Sequence, residues 1–155
     1  MKAVVEKSEE AKILIRNAIQ ANILFKACSG EELDELVEVF APTEASAGST
    51  IIREGDEGDA FYVMEKGTVD VYEGDVHKVT LYAGASFGEI ALLYGCPRSA
   101  TLRAQRFCSL WSISRTAFRA ITSQYKILRN QAKVDFLKKV CCSTKICFLT
   151  FLASI

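Results

Sequence analysis

Phe87-Gly88-Glu89-Ile90-Ala91-Leu92-Leu93-Tyr94-Gly95-Cys96-Pro97-Arg98-Ser99-Ala100-Thr101 interrupts the texture of the chain around it. The flanking sequence reads as short strands. Within the stretch Gly88 opens a turn, one helical turn follows, and Pro97 ends that turn in front of a single arginine. Amides at a helix start are unpaired and attract an anion, and an arginine fork can grip the same anion from the other side. Glu89 stands where a carboxylate could accept hydrogen bonds from sugar hydroxyls. One anion clamp beside one sugar acceptor suits a singly charged phosphate fused to a ribose.

From Thr50 to Ile113 the candidate strands are Ile51-Ile52, Phe61 to Met64, Val69 to Tyr72, Val76 to Tyr82, Ala100 to Ala104 and Cys108 to Ile113. Glu73-Gly74-Asp75 is a hairpin break, and Gly55, Gly58, Gly67 and Gly84 punctuate the rest. Many short, evenly spaced strands predict a double-sheet jelly-roll barrel, mainly β in an α+β chain. The helical insertion in that barrel is a natural place for a site. Ahead of it, residues 6–22 read as a helix with Leu14, Ile15, Ala18 and Ile19 on one side. Ser29 with Glu32 forms a capping-box signature, Leu33, Leu36, Val37 and Phe40 follow at helical spacing, and Pro42 is expected to close that helix. Behind it, Ser112 or Ser114 can cap an exit helix whose expected buried face is Phe118, Ile121, Tyr125, Leu128, Ala132, Phe136 and Val140. The expected organisation is a helical bundle over 1–42, a barrel with exit helix over 43–140, and a divergent or truncated tail over 141–155.

FGEIALLYGCPRSAT resembles the phosphate-binding cassette of the cyclic-nucleotide-binding domain, FGE-[LI]-AL-x(4)-PR-x-AT, at every fixed position. The nearest likeness is to the first such domain of cyclic-AMP-dependent kinase regulatory subunits and of cyclic-GMP-dependent kinases. IIREGDEGDAFYVMEKGTVDVY and SLWSISRTAFRAI extend it over roughly residues 10 to 140. The resemblance implies that Arg98 binds the exocyclic phosphate and Glu89 the ribose 2′-OH. It also implies that Gly88 allows close approach, and that the Ile90-Ala91 helix start and the Ala100 N–H donate to the phosphate. Ser99 follows the arginine where cyclic-GMP-dependent kinases carry Thr or Ser and cyclic-AMP-dependent kinases carry Ala. A hydroxyl there can bridge the phosphate and the guanine 2-amino group, or face water as a spectator. The first reading favours cyclic GMP over cyclic AMP by about two- to tenfold. Relatives cover the base with an aromatic residue beyond the exit helix; here Phe148 and Phe151 are the aromatics in that region, so a weak or missing lid is expected. Tyr62 and Trp111 are expected in the barrel core.

The 155 residues suffice for one domain with a core, half of them being hydrophobic. Residues 1–60 carry 13 acidic and 6 basic side chains, and residues 61–155 carry 6 and 13. Two readings fit this asymmetry: solvated helix faces, or a docking surface with a basic exit helix. No helix-turn-helix pattern follows the barrel, so nucleic acid is a poor candidate partner. His77, the one histidine, argues against a histidine-metal site and reads as a surface strand residue. Six cysteines without a CxxC pair, and no signal peptide, suggest a reduced cytoplasmic setting. The ten apolar-leaning residues at the end are too few to span a bilayer. They fit a truncation, an alternative end, or a membrane or partner contact.

No P-loop, HRD, DFG or nucleophile–histidine pattern is present, so a catalytic role is not expected, although the chain could be a fragment of a cyclic-GMP-dependent kinase. The resemblance implies a sensor module without cofactor, which controls a kinase catalytic domain in cis or trans by moving helices when cyclic GMP or cyclic AMP binds. The alternatives are an inhibitor like the cyclic-AMP-dependent kinase regulatory subunit, or a protein-interaction module with a weakened pocket.

Overall fold

The computed structural model describes residues 6–93 and 96–143, the side chains at 91, 93 and 137–143 excepted. The chain divides into two units, one through Ile121 and one from Thr122. The first opens with helix α1 (Glu9–Ala21), capped by the Ser8 hydroxyl, which accepts from the Ala11 N–H. A 3-10 turn (Ile23–Phe25) leads to α2 (Gly30–Val39). The expected capping box is present: the Glu32 N–H donates to the Ser29 hydroxyl, and the Ser29 N–H to the Glu32 carboxylate. Pro42 does not terminate α2. That helix ends at Val39, and Pro42 lies inside β1 (Ala41–Ala45), an edge strand where a missing N–H is tolerated.

Seven more strands follow: β2 (Thr50–Ile52), β3 (Ala60–Lys66), β4 (Thr68–Glu73), β5 (Val76–Tyr82), β6 (Ser86–Phe87), β7 (Thr101–Ala104) and β8 (Cys108–Ser114). They form two antiparallel four-stranded sheets in the order β1-β8-β3-β6 and β2-β7-β4-β5. This is a jelly-roll arrangement of two separate sheets, with no strand ladder closing it into a barrel among the described residues. Ile52, Met64, Val69, Phe87, Leu102, Cys108 and Leu110 fill the space between the sheets. Each large apolar side chain buried there contributes roughly 1.5–3 kcal/mol.

The near-continuous apolar run of β3 has a structural reason. Tyr62 and Met64 pack toward the inter-sheet core, while Phe61 and Val63, in register with Ile113 and Trp111, lie on the opposite face. There Phe61 meets Phe25 at 5.6 Å and Phe40 at 6.2 Å between ring centroids. Phe25 also meets Phe118 edge-on at 5.5 Å, so one aromatic cluster joins the N-terminal helices, β3 and the start of the exit helix. Lys7 adds a further tie: its ammonium donates to the Glu38 carbonyl at 2.7 Å and lies 5.8 Å from the Trp111 ring. Trp111 is buried, but not in the inter-sheet core where it was expected: opposite Val63, it lies on the face turned to the N-terminal segment, under Lys7.

Helix α4 (Arg115–Ser143) starts at a Ser114 cap, whose hydroxyl accepts from the Ala117 N–H. Ala117, Phe118 and Ile121 are buried, but the expected apolar face does not stay covered. In the second unit Leu128 is 55% and Phe136 65% exposed, and Ala132 is exposed as well. The Val140 side chain, Tyr94 and the segment holding Phe148 and Phe151 lie outside the described residues. Among the described residues no helix is long and apolar enough to cross a membrane.

Candidate ligand-binding site

The cassette lies between β6 and β7. Its helix α3 (Ile90–Leu93) is a single turn, closed by the Leu92 N–H donating to the Glu89 carbonyl at 3.0 Å. The amides of Ile90 and Ala91 precede that first bond, so neither has an acceptor within the turn. Gly88, just before it, has φ +84. A Cβ at this position would stand 2.7 Å from a terminal nitrogen of Arg98 and 3.0 Å from the Ala60 carbonyl oxygen. Conformation and space therefore both demand glycine.

Arg98 is fixed at its backbone and at its tip. Its N–H donates to the Asp56 carbonyl and its own carbonyl accepts from the Gly55 N–H, both at 2.8 Å, while Pro97 bridges Glu57. The guanidinium donates to the Ala60 carbonyl at 2.8 Å and to the Gly88 carbonyl at 3.3 Å. Both acceptors are neutral carbonyls, so they orient the fork without neutralising it. Two of its five donors are used in this way. Burial lowers the Arg98 pKa, and the neighbouring Tyr62, Asp59 and Glu89 oppose that shift while Arg115 adds to it. An arginine starts so far above neutrality that it stays cationic. Tyr62, whose own pKa is raised chiefly by burial, a shift the Arg98 charge opposes, stacks on Phe87 at 5.5 Å.

Gly88, Glu89, Ile90, Cys96, Pro97, Arg98 and Ser99 line a cavity of about 110 Å³. Five of the seven residues expected from the sequence are thus brought together. Ala91 lies on α3 with its side chain outside the described residues, and Ala100 is half-buried next to Ser99 without lining the cavity. Cys96 and Pro97 were not expected to line the cavity, and neither was the Ala60 carbonyl expected to hold the arginine. Pockets that enclose a whole small ligand run to roughly 300–1,000 Å³. A space of this size has room for an anion and part of a sugar, and Ile90 beside it is exposed. A larger groove of about 420 Å³ between α1 and α2 is crossed by the ion pairs Lys12–Glu38 and Arg16–Asp34, so its charges already answer one another.

The sequence model of the cyclic nucleotide-binding domain matches residues 42–125, more than half of the chain. Among solved structures, cAMP-bound PfPKA-R is 35% identical with a TM-score of 0.69; the match covers 76% of this chain and 44% of that one. The regulatory domain of Toxoplasma gondii PKA with cAMP is 28% identical with a TM-score of 0.65, over 86% and 52%. A cyclic nucleotide-binding-like protein from Brucella abortus is 28% identical with a TM-score of 0.64, over 70% and 97%. The chain thus spans about half the length of the two kinase regulatory proteins. With the match covering both sheets, the cassette and the first turns of α4, the chain belongs to the cyclic nucleotide-binding domain family and is similar to the regulatory domains of protein kinase A.

Proposed function

We propose that this chain is a cyclic-nucleotide sensor that regulates a protein kinase. The observation that supports it most directly is the Arg98 guanidinium, held over the cavity by two neutral carbonyls with Glu89 beside it. An exocyclic phosphate completes the coordination of the fork, the ribose 2′-OH donates to Glu89, and the base rests outside. Ser99 is exposed at the cavity wall, where its hydroxyl can reach a guanine 2-amino group. One neutral hydrogen bond adds about 0.5–1.5 kcal/mol, a two- to tenfold preference for cyclic GMP. The two kinase relatives carry cAMP, which supports the wider class of cyclic purine nucleotides.

Signal output is proposed through α4. The loop that holds the Arg98 backbone also holds the first residue of that helix: the Arg115 N–H donates to the Asp59 carbonyl at 2.7 Å, and its guanidinium reaches the Gly58 carbonyl and Glu57. Tightening of the cassette on a phosphate is thereby transmitted to the helix start, to the extent that the nucleotide binds the two helix positions with different affinity. A kinase catalytic domain is the proposed partner, in cis or trans. A nucleotide-independent interaction role is the second reading, favoured by the exposed Ile127, Leu128, Val134 and Phe136 on α4.

Calorimetric titration with cyclic AMP and cyclic GMP tests the first reading. Arg98→Ala should weaken binding by about two decades or more, the worth of two charge-assisted hydrogen bonds. A wild-type chain that binds neither nucleotide would leave the interaction reading in possession.

A further inference from the structure

The turn that grips the Arg98 backbone is itself held from an unexpected side. Glu54 stands in this turn, immediately before Gly55, whose N–H donates to the Arg98 carbonyl at 2.8 Å. The Glu54 carboxylate accepts from the Gly74 N–H at 2.7 Å, and Gly74 is the tip of the β4–β5 hairpin. The Glu54 N–H donates to the Thr101 hydroxyl at 3.0 Å, on β7. One residue therefore fastens the turn to a hairpin and to a strand, while its neighbours fasten Arg98.

Packing cannot do this instead. Arg53, Glu54, Gly55 and Asp56 are all exposed, and the turn faces an open depression of about 610 Å³ whose walls include Arg53, Arg103 and Thr101. Gly55 has φ +85 and no neighbour within 4 Å of its Cβ position, so the turn has room to shift. An exposed turn with a flexible residue keeps its place through its hydrogen bonds. We infer that Glu54 is a positioning residue for the phosphate clamp, acting on Arg98 through the Gly55 amide. The inference rests on the reading of Arg98 as that clamp.

The test compares Glu54→Ala with Glu54→Gln in the full chain. Both remove the carboxylate's negative charge; only alanine removes the acceptor for Gly74. The difference between the two variants therefore isolates the hydrogen bond from the charge. Cyclic AMP should bind Glu54→Ala about two- to tenfold more weakly than Glu54→Gln, the worth of one such bond. Hydrogen exchange without nucleotide should be faster at the Gly55 and Arg98 amides in the alanine variant, with matching melting temperatures. Equal exchange at those amides overturns the inference whatever the affinities show. Faster exchange with equal affinities overturns it too, since the turn would then move without consequence for the clamp. Should the wild-type chain bind no nucleotide, the sensor reading fails, and the exchange comparison still decides whether Glu54 positions Arg98.

Discussion

Gly88 concentrates two constraints in one position, and this makes its replacement informative. A Cβ at φ +84 costs about 1–2 kcal/mol in backbone strain alone. The same Cβ would stand 2.7 Å from one terminal nitrogen of the Arg98 fork and 3.0 Å from the Ala60 carbonyl oxygen, so the guanidinium must shift in its seat on the Ala60 and Gly88 carbonyls. Gly88→Ala should therefore melt lower by several degrees and bind cyclic nucleotide at least tenfold more weakly in calorimetry. Unchanged affinity with lowered stability would show that the fork does not need its carbonyl seat. Ser99→Ala is the complementary change. It should leave stability within about 0.5 kcal/mol at this exposed position and reduce the ratio of cyclic GMP to cyclic AMP affinity by about two- to tenfold. An unaltered ratio would make the hydroxyl a bystander. At this scale the sequence was legible wherever chemistry sits in a side chain: Arg98, Glu89 and Gly88 could be named because charge, acceptor and missing Cβ are written in the residue type. The Ala60 carbonyl and the Gly55 amide could not, since any residue supplies them.

Asp70 shows how one element is secured by polar contacts on its outer face. It is only 7% exposed on β4, where its carboxylate accepts from the Thr80 hydroxyl at 2.6 Å, lies 3.2 Å from the His77 ring nitrogen on β5, and accepts from the Gln105 amide beyond β7. These partners, the Thr80 hydroxyl foremost, hold its pKa below the ordinary 3.8 in spite of burial. A carboxylate with a depressed folded pKa stabilises the fold above its unfolded value and loses that contribution as pH falls through the folded one. Asp70→Asn should thus be less stable than the wild type at pH 7, with the gap closing as pH falls below about 4. Urea midpoints measured from pH 7 to pH 3 would report this; a gap of constant size would exclude the ionised carboxylate as its source. The hairpin itself was readable, since Glu73-Gly74-Asp75 punctuates two alternating runs and Gly74 adopts φ +58. The strand β1 was not. Ala-Pro-Thr-Glu-Ala has no apolar alternation, and Pro42 signals a helix stop as readily as an edge strand. Its place is set by pairing with β8, from Ala41 opposite Ser112 to Ala45 opposite Cys108, which no local pattern records.

Across the whole molecule, α4 separates what periodicity can say from what it cannot. Phe118, Ile121, Tyr125, Leu128, Ala132 and Phe136 recur at helical spacing, and this correctly marks an amphipathic helix. The pattern does not say what covers each stretch of the stripe. Phe118, edge-on to Phe25, and Ile121 are buried, whereas Leu128 and Phe136 stand exposed beside Lys126, Arg129 and Lys133. The energetic contrast is large. Phe118→Ala deletes a buried ring and should cost about 3–5 kcal/mol. Leu128→Ser and Phe136→Ser remove side chains that already face water, so each should stay within about 0.5 kcal/mol. Thermal melting of the three variants measures the difference directly. Equal losses for Phe118→Ala and Phe136→Ser would mean that the outer part of α4 is covered in solution by a contact made beyond the described residues. With the expected contrast, the outer stripe is free to receive a partner. If a kinase catalytic domain is the partner proposed above, the Leu128→Ser/Phe136→Ser double variant should then lose binding to it while its nucleotide affinity stays unchanged, because neither side chain lines the cavity at Arg98.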